Sequence, residues 1–256
     1  MPLIKSYPEV SVVLALNKVD QYTDTAILSI LEQVDVSFEL ILVANGEQCE
    51  AVERVLLERY GKFSFVRFFS TPIPQLTYAL NFAVSQAKAD YIARMDADDI
   101  STASRLRLQL DYMVKNNLDV LGSDVILIDE NGVALGERSY PSGAKINKLL
   151  PFRNCFCHPS VIFKKDIFYK VRGYNAGFNS EDYDLWLRLM RLGVRWDNIK
   201  APLLLYRVHK SSAQGTRLAY AECAGLAIRE FFMMKKISSF IAIFVHAIKF
   251  LYKPMR

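Results

Sequence analysis

The chain has 256 residues, 52% of them hydrophobic and 23% charged, and carries a net charge of +5 with an isoelectric point near 8.9. So much apolar material excludes a largely disordered protein and suits one large α/β domain, or a domain with an appendage. The basic bias favours anionic ligands or anionic lipid, but no basic-aromatic motif accompanies it, so no nucleic acid is expected as a partner.

In chain order, Val10–Leu16 is a near-continuous apolar run ending at Asn17, as expected of a strand buried on both faces. Ala26, Ile27, Ile30 and Leu31 then have the spacing of one buried helical face. Residues 38–43 read as a second strand that stops at the turn signal Ala44-Asn45-Gly46, and residues 48–60 read as a helix. Residues 63–69 give a third strand. Pro72 and Pro74 punctuate the approach to a helix through Leu76, Leu80, Ala83 and Val84. A fourth strand runs into Asp96-Ala97-Asp98-Asp99, and a helix near Ser104 follows with Leu106, Leu110, Met113 and Val114 on one stripe. Residues 120–128 predict a fifth strand ending in the hairpin-like Asp129-Glu130-Asn131-Gly132. Residues 133–153 are loop-rich, and Pro159-Ser160-Val161-Ile162-Phe163 after His158 is strand-like. Strands alternating with helices at short spacing predict a parallel sheet wound in βαβ units. Neither a G-x-G-x-x-G nor a P-loop follows any strand, which weakens dehydrogenase and NTPase readings.

Four cysteines, Cys49, Cys155, Cys157 and Cys223, make no disulfide framework in a chain this long and read as free thiols of a reducing cytoplasm. Cys155-x-Cys157 has no second Cys or His pair to complete a tetrahedral metal site. Residues 1–6 show no signal-peptide core, and no run of ~18 uncharged apolar residues predicts a span.

Two acidic clusters stand out. Asp96-Ala97-Asp98-Asp99 ends a buried strand, where open α/β sheets bind ligands and where hard oxygens suit Mg²⁺ or Mn²⁺. It reads equally as an acidic loop capping the next helix. Ser180-Glu181-Asp182-Tyr183-Asp184 reads as a helix start with Ser180 as N-cap and acids in the first turn, itself a common dipole arrangement. However, Asp182 shares the inward stripe of Leu185, Trp186 and Leu189, whereas Asp184 is expected to pair outward with Arg188. An inward carboxylate needs a partner or a chemical task, and general base is one such task.

Taken in order, these pieces resemble the family 2 glycosyltransferases, inverting enzymes of the GT-A fold, and among them the bacterial enzymes that build surface polysaccharides. The resemblance rests on Ser11-Val12-Val13 through Asn17, Ser29-Ile30-Leu31-Glu32-Gln33, Leu80-Asn81, the block from Ala93 to Asp99 and Arg105-Leu106. It continues in His158-Pro159-Ser160, Gly173-Tyr174, Glu181-Asp182-Tyr183-Asp184-Leu185-Trp186 and Tyr206-Arg207-Val208-His209, and so covers roughly residues 8–215. It implies a GT-A domain over residues 1–215, with a Rossmann-like, mostly parallel sheet flanked by helices, and a helical extension over 216–256. It implies Asp98 as metal ligand with Asp96 nearer the ribose, Asp182 as catalytic base with Glu181 assisting, and His209 at the diphosphate or metal. His209 reads equally as a hydrogen-bonded loop residue. Donor contacts fall to Asn17, Asn45, Asn81 and Arg94, although Arg94 also reads as the partner of a neighbouring acid. His158 and Trp186 fall on the acceptor side, with a purely structural role open for His158.

The implied cofactor is Mn²⁺ or Mg²⁺. The implied partners are a nucleoside-diphosphate sugar, a glycan or lipid-linked acceptor, and the cytoplasmic face of the inner membrane. One departure concerns the second strand, where Ala44-Asn45 replaces the family's usual Asp pair; an Asn amide still both donates to and accepts from a pyrimidine edge. Another is the absence of Q-x-x-R-W, since Arg195-Trp196 follows Leu192, so transfer of one sugar is expected rather than polymerisation.

Two other readings remain. In a phosphohydrolase of the haloacid-dehalogenase type the D-x-D ends the first strand, with Thr or Val two residues on; here it ends the fourth, and Ile100 occupies that place. A catalytically inactive nucleotide-sugar-binding or scaffold protein draws its support from Asn45. In the tail, Ile237, Phe240, Ile241, Phe244, Val245, Ile248, Leu251 and Tyr252 form a helical stripe flanked or opposed by Lys235, Lys236, Lys249, Lys253 and Arg256. Such a helix is expected to lie in a membrane interface, or else to pack on its own domain or a second copy.

Overall fold

A computed structural model describes residues 7–175, 179–208 and 217–252. The first half alternates strand and helix as the sequence predicts: β1 (Val10–Leu16), α1 (Thr23–Leu31), β2 (Phe38–Asn45), α2 (Cys49–Tyr60), β3 (Val66–Thr71), α3 (Leu76–Gln86) and β4 (Tyr91–Met95). These four strands pair in parallel, with Val12 opposite both Leu40 and Ala93. Every residue of β1 and β2 is buried, because helices cover both faces. Pleating divides β1 between two cores: Val10, Val12 and Leu14 face one, Val13 and Ala15 the other.

Beyond β4 the sheet becomes mixed. There follow β5 (Ile100–Ser101), α4 (Arg105–Lys115), β6 (Val120–Ile128), β7 (Ala134–Arg138), α5 (Ala144–Leu149), a 3₁₀ turn at His158–Ser160 and β8 (Ile162–Lys164). The chain continues through α6 (Lys165–Lys170), α7 (Glu181–Leu192), β9 (Trp196–Arg207), α8 (Arg217–Met234) and α9 (Ile237–Tyr252). The strand order is β3-β2-β1-β4-β8-β6-β9-β5, with β7 beside β6. Antiparallel β8 pairs Ile162 with Ala93, and Arg94 N–H donates to Val161 O at 2.9 Å. The His158 turn is thereby pinned to the carboxyl end of β4.

The structure revises several sequence expectations. β3 begins at Val66 rather than at residue 63, and Val114 is exposed rather than on the buried stripe of α4. The loop-rich stretch contains β7 and α5, and Pro159-Ser160 lies in a 3₁₀ turn rather than a strand. β9 was not expected, because Asp197, Asn198, Lys200 and Pro202 break any apolar alternation. Its register against β6 shifts where Ser123 pairs with Ile199 and Asp124 with Pro202. Such an irregularity is where a sheet tolerates proline. In α9 the small and polar residues Ser239, Ala242 and His246 turn inward, while Ile237, Phe240, Ile241, Phe244, Ile248, Leu251 and Tyr252 are exposed. Lys253 and Arg256 lie outside the described residues.

Between α6 and α7, Gly173 adopts φ +65°, and a β-carbon there would run into Asn81 Oδ1 and sit 3.0 Å from the Phe168 ring. Asn81 is committed at this point: its Nδ2 donates to Tyr174 O at 2.8 Å, and its Oδ1 accepts from Tyr174 N–H at 2.9 Å. Gly173→Ala is therefore expected to lower stability by about 2 kcal/mol or more, from left-handed strain plus overpacking, as measured by urea unfolding.

Candidate active site

Three carboxylates crowd the turn after β4: oxygens of Asp96, Asp98 and Asp99 lie within 4.8 Å of one another. Mutual repulsion makes such a turn costly, and buried cations offset it. Arg94, 1% exposed, pairs through Nη1 with Asp96 Oδ1. Below it, fully buried Arg105 donates from Nη2 to Arg94 O at 2.8 Å and from Nε to Gln109 Oε1 at 3.0 Å. Desolvation pulls the Arg105 guanidinium down to about 10. Arg207, at the end of β9, closes the turn from the other side. Its N–H donates to Asp99 Oδ1 and its Nε to Asp98 O, both at 2.8 Å.

Burial, opposed by Arg94 and reinforced by Asp98, raises the Asp96 carboxyl above its usual range. Burial and then Asp96 and Asp98 raise Asp99 further. Asp99 Oδ2 is buried with no hydrogen-bond partner, an orphaned acceptor beside two other carboxylates. Hard oxygens in that state suit a divalent cation such as Mg²⁺ or Mn²⁺.

The second cluster opens α7. Ser180 occupies the N-cap, but its hydroxyl donates outward to Glu222 Oε2 of α8 at 2.6 Å instead of capping the helix. Asp182 Oδ2 accepts from Asn154 Nδ2 at 2.5 Å and Oδ1 from Tyr183 N–H at 2.6 Å. Burial raises the Asp182 carboxyl, and these two donors oppose the rise. Burial and then Asp182 push Glu181 up to about 7. His158 Nε2 lies 2.6 Å from the Tyr174 hydroxyl and Nδ1 4.0 Å from Glu181 Oε1. Burial and then Arg94 hold His158 well below its usual pKa, so its ring is neutral.

Both clusters open into one cavity of about 800 Å³, whose wall includes Arg94, Asp96, Asp98, His158, Glu181 and Asp182. The convergence expected of the two acidic stretches is present. Asn154 and Tyr206 also line the cavity; Asn154 belongs to no motif of the sequence reading, and Tyr206 belongs to the Tyr206–His209 motif but carried no assigned role. Asn154 sits in a stretch with no pattern, and Tyr206 lies on a strand that was not foreseen.

Other expected residues stand apart. Asn17 follows β1 and Asn45 ends β2; because Leu16 pairs with Ala44, they are neighbours on the carboxyl edge but do not line this cavity. Asn81 spends both ends of its amide on Tyr174, which corrects its assignment as a donor contact. Trp186 is fully buried beneath the site, 5.0 Å from Phe156 and 6.1 Å from His158 between ring centres, and packs rather than faces an acceptor. His209 lies outside the described residues. The Asp184–Arg188 pair exists at 2.8 Å but is buried rather than outward, because α8 covers that face and Arg229 also reaches Asp184.

Residues 11–172 match the family model described as glycosyl transferase family 2. The chain is 46% identical over 246 residues to the O-antigen biosynthesis glycosyltransferase WbnJ of Escherichia coli, covering 95% of this chain and 97% of that protein. It is 30% identical over 223 residues to the E. coli UDP-Gal:alpha-D-GlcNAc-diphosphoundecaprenol beta-1,3-galactosyltransferase, covering 84% and 81%. The fold is similar to that of S. aureus TarS 1-349 in complex with UDP-GlcNAc, with a TM-score of 0.68 and 16% identity over 87% of this chain and 66% of that one. The strand order and the likeness to TarS define a GT-A fold. The chain belongs to glycosyltransferase family 2.

The raised Glu181 carboxyl sets a pH dependence. Below about 4.5 it is protonated folded or unfolded and contributes no difference; as pH rises toward 7 the unfolded chain ionises first, so folding loses stability. In metal-free buffer, Glu181→Gln is expected to match the parent at pH 4 and exceed it at pH 8. The gain is about 3 kcal/mol at most, at ~1.4 kcal/mol per unit, read from urea midpoints at both pH values.

Proposed function

We propose that the protein transfers a single sugar, with inversion, from a nucleoside-diphosphate sugar to a hydroxyl of a lipid-linked or glycan acceptor during surface-polysaccharide assembly such as that of O-antigen. The observation that carries this reading is the convergence of Asp96 and Asp98 with Asp182 in one cavity. The names of WbnJ and of the diphosphoundecaprenol galactosyltransferase support the acceptor class.

Asp182 is the base. Its carboxylate is held by Asn154 and by the Tyr183 N–H, and burial makes it more basic than a free Asp. As the acceptor oxygen bonds to the anomeric carbon, its proton passes to Asp182 and the bond to the nucleoside diphosphate breaks on the opposite face. Asp98, with Asp96 and the unpartnered oxygen of Asp99, would hold Mn²⁺ or Mg²⁺, which supplies neutralising charge for the departing diphosphate. Glu181 and neutral His158 steady the acceptor beside the base. Asn17 and Asn45 offer amides to the nucleobase, and the UDP-GlcNAc bound by TarS makes UDP the first nucleotide to try.

Residues 1–215 carry the chemistry and 216–256 meet the cytoplasmic membrane surface. The exposed apolar stripe of α9 and the exposed Lys235 and Lys236 suit an interfacial helix on anionic lipid. No described helix is long and apolar enough to cross a membrane.

Asp182→Asn is expected to bind UDP with Mn²⁺ as the parent does yet lose about 10³-fold in turnover, the scale of general-base catalysis; near-parental turnover refutes the base assignment. Slow release of nucleoside diphosphate from donor alone is expected to stop on chelation and return with Mn²⁺. Phe240→Glu with Phe244→Glu is expected to abolish co-sedimentation with anionic vesicles, and undiminished sedimentation would remove α9 as the anchor.

A further inference from the structure

The site has a wall that neither acidic cluster explains. Tyr220 and Cys223 of α8 and His246 and Lys249 of α9 line the cavity together with Arg153. Lys249 Nζ donates to Phe152 O at 2.8 Å, which fixes its ammonium beside the backbone of Arg153. The next residue, Asn154, is the one whose amide holds Asp182 at 2.5 Å. Three consecutive residues thus tie a pair of cations to the flank of the base.

Neither cation has a carboxylate partner among the described residues. Lys249 lies below its usual pKa because of burial and then the nearby Arg153 charge. Two like charges held together at a cavity wall are unfavourable alone and become favourable around an anion. On the proposed reading the donor's diphosphate is met by a cation held on the carboxylates at the end of β4, which leaves Arg153 and Lys249 for a different anion. On the far side of this hairpin, the exposed stripe of α9 runs through Ile248 and Leu251, flanking Lys249 in sequence. A ligand with an anionic group next to an apolar chain satisfies both faces of this helix.

We propose that Arg153 and Lys249 form the subsite for the phosphate of a prenyl-diphosphate-linked acceptor, placing its sugar hydroxyl at Asp182 and sending its apolar chain out along α9. This rests on the reading of the protein as a transferase with Asp182 as base, and it specifies how the acceptor is recognised. The same phosphate chemistry occurs in anionic lipid headgroups, so the test separates the two sources.

Binding of geranyl diphosphate is measured by calorimetry with chelator present, against geraniol as the uncharged control. The parent is expected to bind the diphosphate and not the alcohol. Arg153→Gln, at an exposed position, and Lys249→Gln are each expected to weaken binding about tenfold or more, the scale of losing a charged hydrogen bond. Arg153→Glu is expected to abolish it. Binding of UDP with Mn²⁺ and the thermal midpoint, measured on the same samples, report that the variants are folded. Failure of the parent to bind geranyl diphosphate, or equal binding by folded variants, overturns the proposal. So does loss of sedimentation with phosphatidylglycerol vesicles in these variants while geranyl diphosphate binding persists, since the cations would then serve membrane lipid. Failure of the transferase reading shows separately, as a parent protein that releases no nucleoside diphosphate from any nucleotide sugar with Mn²⁺.

Discussion

Arg94 is the constraint on which the site depends. It is a fully buried guanidinium at the end of a central strand, and removing such a charge from water is expensive unless it is closely paired. Its direct partner is Asp96, but its field also opposes the burial-driven rise of the Glu181 and Asp182 carboxyls and, after burial, suppresses protonation of His158. One cation therefore stands between two acidic groups that come from opposite halves of the chain. Without it, Asp96, Glu181 and Asp182 would face each other across one cavity with little to oppose their repulsion. Arg105 supports Arg94 from beneath through its carbonyl, and Gln109 links Arg105 to Ser160 O at 2.8 Å, beside the His158 turn. The acidic turn, the 3₁₀ turn and α4 are thus one hydrogen-bonded unit.

This balance also explains why the carboxylates of the β4 turn remain under strain. Arg94 is committed to Asp96, and Arg207 meets Asp99 through its backbone N–H and the Asp98 backbone carbonyl through Nε. Asp99 keeps an unpartnered buried oxygen and a strongly raised pKa. That orphaned oxygen beside two other carboxylates suits a cation, and on the proposed reading such a cation would meet the diphosphate.

The half of the fold built from β1 to β4 was legible because buried parallel strands are written as continuous apolar runs, as in Val10–Leu16, and their helices carry regular stripes. The second half was harder to read for a physical reason. β9 carries Asp197, whose carboxylate accepts from Tyr112, and Asn198, whose amide donates to Pro141 O and Cys155 O. Tertiary partners satisfy these polar side chains, and sequence periodicity contains no trace of those partners. The same limit applies to the site. The two acidic clusters announce themselves as motifs, whereas Asn154 is a single amide in a loop and acquires meaning only when Asp182 lies 2.5 Å away. Arg207 lies within the Tyr206–His209 motif, but its hold on the acidic turn comes from β9 reaching the turn after β4, which the motif does not encode. Asp184 was read as outward because α7 alone suggests a solvated face; only α8 reveals that Arg188 and Arg229 bury it between them.

That last pairing bears on what the C-terminal hairpin does. Glu222 of α8 accepts from both Ser180 Oγ and Asn179 N–H at the start of α7, Arg229 reaches Asp184, and Arg191 of α7 pairs with Glu230. On α9, His246 sits 3.2 Å from the Tyr183 hydroxyl and 3.1 Å from Pro151 O. Every one of these contacts is made to the helix that presents Asp182, or to the loop that leads to Asn154. Partly buried charge pairs of this kind fix geometry more surely than they add stability. On the proposed reading, in which the exposed face of α9 meets lipid and Asp182 is the base, the hairpin would link the position of the base to that of the membrane, because its other face holds the first turn of α7. An acceptor delivered from that membrane would then meet Asp182 at a height set by the hairpin itself.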